Sequence, residues 1–162
     1  MSLGLLIVRL VFGLGMAAHG SQKLFGWFGG PGLGGIAGFM DSLGFRPGRF
    51  FGTALGVGEF GSGMLLALGL FGPLGPALLI DVMLVAMYTV HRRHGFFAAN
   101  NGIEVPLLYV GGALAVCSAG PGDFSLDAVL GLDWLWAPNF VLIALGCAIL
   151  LAAVTLVIRR RS

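Results

Sequence analysis

Three ionisable residues stand inside apolar runs of this chain: Arg9, Glu59 and Asp81. A charge in hydrocarbon costs ~2.5–3.5 kcal/mol even on the lenient insertion scale, so such groups turn inward and find partners. At a rise of ~1.5 Å per residue their depths differ by only ~8 Å, within the reach of an arginine side chain. Arg9 is therefore expected to pair with Glu59, Asp81 or both. Two chemistries are open to this intramembrane polar cluster. One is a buried ion pair that fixes helix register. The other is a polar site for a proton, an ion or a quinone head group. Two acids against one base leave a surplus carboxyl, which keeps the second reading open.

A second constellation gathers where apolar runs end. His19, Gln22 and Lys23 fall in AHGSQKLFGWFGG, Ala18 to Gly30, and His91, Arg92, Arg93 and His94 come at the end of a later run. Asn100, Asn101 and Glu104 come shortly after. Each has an ordinary role available. Lys23 and the arginines anchor topology, and Trp27 is an interfacial aromatic. Glu104, just before Val105-Pro106, complements the positive end of a helix dipole. His19 and Gln22 are the least explained by such roles. His19 and His91 end helices on one face, but axial haem ligation needs imidazoles that face each other, which spacing does not establish. Haem is not expected. No HxxxH or ExxH pair shares a helix face, so no metal site is expected either. No Walker A loop, GxSxG motif or Rossmann context organises the glycines.

The elements that must position these residues are membrane helices. The chain has 162 residues, 57% hydrophobic and only 10% charged, with a mean hydropathy of +0.97. A soluble chain this short could not hide so much apolar surface. The net charge of +2 is small, and no basic face for nucleic acid emerges. The 29 glycines suit close helix approach within a bilayer, Gly52 and Gly56 forming one GxxxG. Cys117 and Cys147 form no CxxC and read as small packing residues.

A bilayer core of ~30 Å needs about 20 apolar residues per helix. Five spans are expected, at 3–20, 50–70, 73–91, 104–120 and 137–158. Leu33, Ile36, Ala37, Met40 and Leu43 share a face, predicting a short interfacial helix over 32–45. The first run lacks a basic leader and carries Arg9 in its middle, so it does not read as a signal peptide. The whole chain, 1–162, reads as a single all-α membrane domain. With five spans, Lys23, Arg46, Arg49, Arg92, Arg93, Arg159, Arg160 and Arg161 share one side, and the other side has none. The positive-inside rule then puts the N-terminus outside and the C-terminus in the cytoplasm.

RLVFGLGMAAHGSQKLFGWFGGPGL (Arg9 to Leu33), GVGEFGSGMLLALGLFGPLG (Gly56 to Gly75), HRRHGFFAANNGIEVPLL (His91 to Leu108) and SAGPGDFSLD (Ser118 to Asp127) occur in this order. The set resembles the DoxX family of small integral membrane proteins over roughly residues 5–127. The resemblance implies a four-helix membrane core, here with a fifth C-terminal span. It also implies a place in a membrane redox assembly, since some members are subunits of thiosulfate:quinone oxidoreductases and others accompany thiol and oxidative-stress systems. Arg9, His19, Gly20, Lys23, Glu59 and Glu104 match family motifs, without a catalytic role being implied.

The expected function is that of an inner-membrane subunit of a quinone-linked or thiol-linked redox assembly. The residues fix no bound group, a quinone being one that such a site would suit, and the partners would be lipid, a soluble redox subunit and a second copy of the chain. The alternatives are a small-solute or proton-coupled permease, which an acid-bearing bundle interior also suits, and a non-catalytic scaffold docking a partner through the basic first loop.

Overall fold

The computed structural model describes residues 2–159. Its helices are α1 (Ser2–Phe25), α2 (Gly32–Ser42), α3 (Gly48–Leu68), α4 (Leu74–Ala86), α5 (Glu104–Ala119), α6 (Leu126–Leu130) and α7 (Pro138–Ile158). No strand occurs among the described residues. After Ala86, α4 runs into a π-helical turn, Met87–His91, and then a 3-10 turn, Arg92–His94.

Four helices are long and apolar enough to cross a membrane: α1, α3, α4 with its continuation to His94, and α7. With only 16 residues, α5 is shorter. It nevertheless runs between the same two ends. Its start is joined to the end of α4, where Ile103 and Glu104 donate their N–H groups to the carbonyls of Gly95 and Phe96. Its far end leads to Asp123, which accepts a hydrogen bond from the Ser2 hydroxyl at the start of α1. Five helices therefore traverse the bundle. The cations Arg160 and Arg161, which the charge count uses for topology, lie outside the described residues.

α1 and α3 run antiparallel in close contact, and glycine makes this possible. A Cβ at Gly13 would stand 2.6 Å from the Gly63 carbonyl, and one at Gly20 would stand 2.8 Å from the Gly56 carbonyl. Small residues let backbones meet, as expected in a bilayer. The core above this seam is Met16, Leu66, Leu79, Ile80, Met83, Ala113 and Val116.

Two boundaries differ from expectation. α1 continues to Phe25 instead of ending near residue 20. The expected span tracked apolarity, whereas Ser21, Gln22 and Lys23 can remain helical after the chain turns polar. Gly26, with φ 71°, ends it. The interfacial helix stops at Ser42. Its apolar face packs onto α3, with Ile36, Met40 and Phe45 buried together against Phe51 and Leu55.

Candidate functional site

The register between α1 and α3 decides which charges meet. Gly13 lies against Gly63 and Ala67, and Gly20 against Gly56 and Phe60. Arg9 is thereby set beside Gly69, and Glu59 beside Gly20. Ten residues of α-helix separate those levels, roughly 15 Å along the axis. The expected pairing of Arg9 with Glu59 or Asp81 does not occur. Side chains on a helix lean toward its N-terminus, so Arg9 and Glu59 lean apart while Lys23 and Glu59 lean together.

Arg9 is 1% exposed. It donates to the carbonyls of Pro121 and Phe124, each at 2.5 Å. Its charge also feels Asp127, which is fully buried. That carboxylate accepts from the backbone N–H groups of Phe71 (2.9 Å) and Gly72 (2.7 Å) and from Trp136 Nε1 (2.8 Å). Gly69 lets the α3–α4 turn approach: its φ is 62°, and a Cβ there would meet the Arg9 guanidinium and Ser125. In the sequence Asp127 reads only as a loop acid. The signal that places it is local: Ser125 caps α6, accepting from Ala128 N at 3.1 Å, and Gly131 ends it in the left-handed region. Serine at the N-cap and glycine past the C-terminus mark a short helix with Asp127 inside it.

Asp81 is half-buried on α4, and its Oδ1 has no hydrogen-bond partner. It joins neither Arg9 nor Glu59. The three intramembrane charges are therefore three separate sites.

At the opposite end Lys23 is a site residue as well as a cation of that face. Its ammonium donates to Glu59 Oε2 at 2.5 Å, with side-chain exposures of 20% and 6%. Met16, His19 and Lys23 fall on one face of α1 at helical spacing, and all three line a cavity of about 370 Å³. Its walls come from α1, α2, α3, the α4 continuation and α5. They are largely apolar, with Met40, Phe45, Leu55, Met83 and Val85, and the polar groups converge from His19, Lys23, Glu59, Thr89, His91, Asn101 and Tyr109.

His19 and Tyr109 pack edge to face, with centroids 6.2 Å apart. Both lie within electrostatic reach of Glu59. The Tyr109 ring fits because α1 has glycine opposite it: a Cβ at Gly15 would stand 2.5 Å from the Tyr109 oxygen. His91 is reached through the π turn, and its Nδ1 lies 2.8 Å from the Asn101 carbonyl. π turns recur at functional sites.

Of the polar residues expected at this face, the cavity gathers His19, Lys23, His91 and Asn101. Gln22 and Glu104 are not in its lining. Gln22 Nε2 points to the Phe28 carbonyl at 3.5 Å, steadying the turn after α1. Glu104 Oε2 accepts from Ala98 N at 2.7 Å, closing the loop before α5. Glu59, expected to belong to the other cluster, completes this one. Sequence reasoning misses Tyr109, though it lies one helical turn after Pro106 on α5, where both line the cavity. Cys117 and Cys147 are free thiols on different helices. Among the described residues, no group of three or more His, Cys, Asp or Glu stands together as metal ligands.

No solved structure matches this chain. A protein of Haemophilus influenzae described as uncharacterized is 32% identical over 66 residues, which are 41% of this chain and 44% of that protein. The chain thus spans less than half the length of that curated relative. The family model DoxX matches residues 4–92, which takes in α1 to α4 and the π turn, with both partners of the buried ion pair. These residues are more than half of the chain, and it belongs to the DoxX family of membrane proteins.

Proposed function

We propose that the chain is the membrane subunit of a redox assembly and that the cavity holds the head group of a quinone. One observation carries the reading: the part-buried Lys23–Glu59 pair opens onto a largely apolar cavity of about 370 Å³. Ligand sites are typically concave and apolar with a few converging polar groups, at ~300–1,000 Å³. A volume near the lower bound suits one ring and the first part of a tail. Quinone carbonyls accept hydrogen bonds. Lys23 has ammonium protons beyond the one given to Glu59, and the Tyr109 hydroxyl and the His19 ring add further donors. A bound quinone supplies two-electron redox chemistry. The protein orients the ring, excludes water with Met16, Met40 and Met83, and holds protons at Lys23 and His19.

Electrons would come from a soluble redox subunit. It would dock at the Lys23 end, where Trp27 and Phe28 are 57% and 75% exposed, and where Arg46, Arg49, Arg92 and Arg93, in the segments that follow α2 and α4, are exposed as well. The cation-rich end faces the cytoplasm of a cell whose inner membrane holds the chain, by the positive-inside rule.

The test uses protein purified in mild detergent and extracted for mass spectrometry. Near-stoichiometric quinone in the wild type, lost from Lys23→Met and Glu59→Gln variants that still fold, is the expected result. A ligand-free wild type would sink the reading. The permease alternative draws on Asp81, whose unpartnered oxygen lies within a span. It requires proton-coupled flux in liposomes that Asp81→Asn abolishes.

A further inference from the structure

Quinone binding needs donors, but besides Glu59, whose carboxylate holds Lys23, one polar group of the cavity is built as an acceptor. His91 lines the cavity, and its Nδ1 faces the Asn101 carbonyl at 2.8 Å. A carbonyl oxygen cannot donate, so Nδ1 must carry the proton. In the neutral ring Nε2 is then bare, and it is the nitrogen His91 can offer to the cavity. The arrangement is held from both sides. The π turn Met87–His91 carries the residue on its last position. Asn101 sits in the left-handed region at φ 61°, and its N–H donates to the Ala98 carbonyl at 2.8 Å. Gly102 closes the loop against Phe96, where no Cβ would fit.

The cavity therefore has a donor wall at Lys23 and Tyr109 and, apart from the Glu59 carboxylate already bonded to Lys23, an acceptor at His91. An oxidised ring has only carbonyls and cannot satisfy that acceptor. A hydroquinone brings two O–H donors. We propose, resting on the quinone reading, that His91 Nε2 accepts a hydroxyl of the reduced head group, so that the site discriminates hydroquinone from quinone at this residue.

The test is the affinity of the full-length protein in detergent for a short-tailed benzoquinone and, without oxygen, for its hydroquinone. Asparagine's amide nitrogen falls where Nδ1 does, so His91→Asn keeps the bond to Asn101 and deletes Nε2. Hydroquinone affinity is expected to fall about tenfold, the scale of one hydrogen bond lost with its partner left bare. Quinone affinity should stay within about twofold. Equal loss of both, or loss of neither, overturns the role of His91 while leaving the quinone reading intact. Wild-type protein that binds neither form overturns the quinone reading and this inference with it. Nitrogen-15 spectra of the wild type give a check free of any variant. The His91 Nε2 resonance should move on adding hydroquinone and not on adding quinone; no selective shift overturns the proposal.

Discussion

Each end of the bundle sets a cation among its helices, yet Arg9 and Lys23 end in opposite circumstances. Arg9 meets the carbonyls of Pro121 and Phe124 and lies near Asp127, which itself accepts from Phe71, Gly72 and Trp136. These bonds tie the start of α1 to the α3–α4 turn and to the segment after α5. Lys23 meets a single carboxylate, and the rest of its surroundings is the cavity. A buried charge tied to the backbone at two points is a fastening, even with its Nε left without a partner. One left with donors free beside an apolar hollow has capacity for a ligand. Breaking a buried pair costs more than its net worth, because the survivor is stranded.

The largest expected effect lies at the Arg9 end. Asp127→Ala strands three donors and should destabilise the protein by ~3–5 kcal/mol, read as thermal unfolding in detergent. Ligand content per folded molecule should not change. An unfolding temperature equal to wild type would erase the contrast between the two ends.

Next comes the ion pair. Glu59→Gln is expected to remove bound ligand at a stability cost of ~1–3 kcal/mol. The double variant Lys23→Met/Glu59→Gln should recover part of that stability and none of the ligand, since it strands no charge. If the double variant is instead less stable than either single one, this pair is also a fastening.

Tyr109→Phe keeps the ring against Gly15 and deletes one donor. Stability should change by no more than ~0.5–1.5 kcal/mol, and quinone affinity should fall up to about tenfold. Unchanged affinity would remove Tyr109 from the site. The smallest effect is expected from Arg159→Ala. Arg159 donates to the Leu43 carbonyl, at the wall formed by Leu43 and Phe45. A shift within ~0.5 kcal/mol is the scale for such a peripheral residue; loss of ligand without unfolding would show the wall to depend on α7.

The helices are legible in the sequence because apolar length reports a span almost directly. Each of the five runs falls on a helix, four of them long and apolar enough to cross a membrane, and the face of α2 is visible in Ile36 and Met40. Charge pairing is less legible. Depth along a span can be counted, but the antiparallel register set by Gly13, Gly20, Gly56 and Gly63 is a tertiary fact, and many glycines in the chain share that spacing. The direction of lean is available from the helix alone, and applied to Lys23 and Glu59 it points each at the other. Asp127 and Tyr109 are hidden for a different reason. A loop acid and a helical tyrosine are ordinary in sequence, and only the packing of distant segments makes them particular.

The π turn before His91 has a consequence for chain length. A π turn holds one residue more than the same stretch of α-helix. The wall of the cavity therefore carries one residue of slack. Deleting one residue within 87–91 would take up that slack, letting α4 close into regular helix with the residues downstream kept in register. Helical content, read by circular dichroism, should stay nearly constant and the loop after His94 should keep its place. Ligand lost on such a deletion, with the helix kept, would mean that the extra residue itself shapes the site. Where it does, the lining of this cavity is tuned by the counting of residues as much as by their kinds.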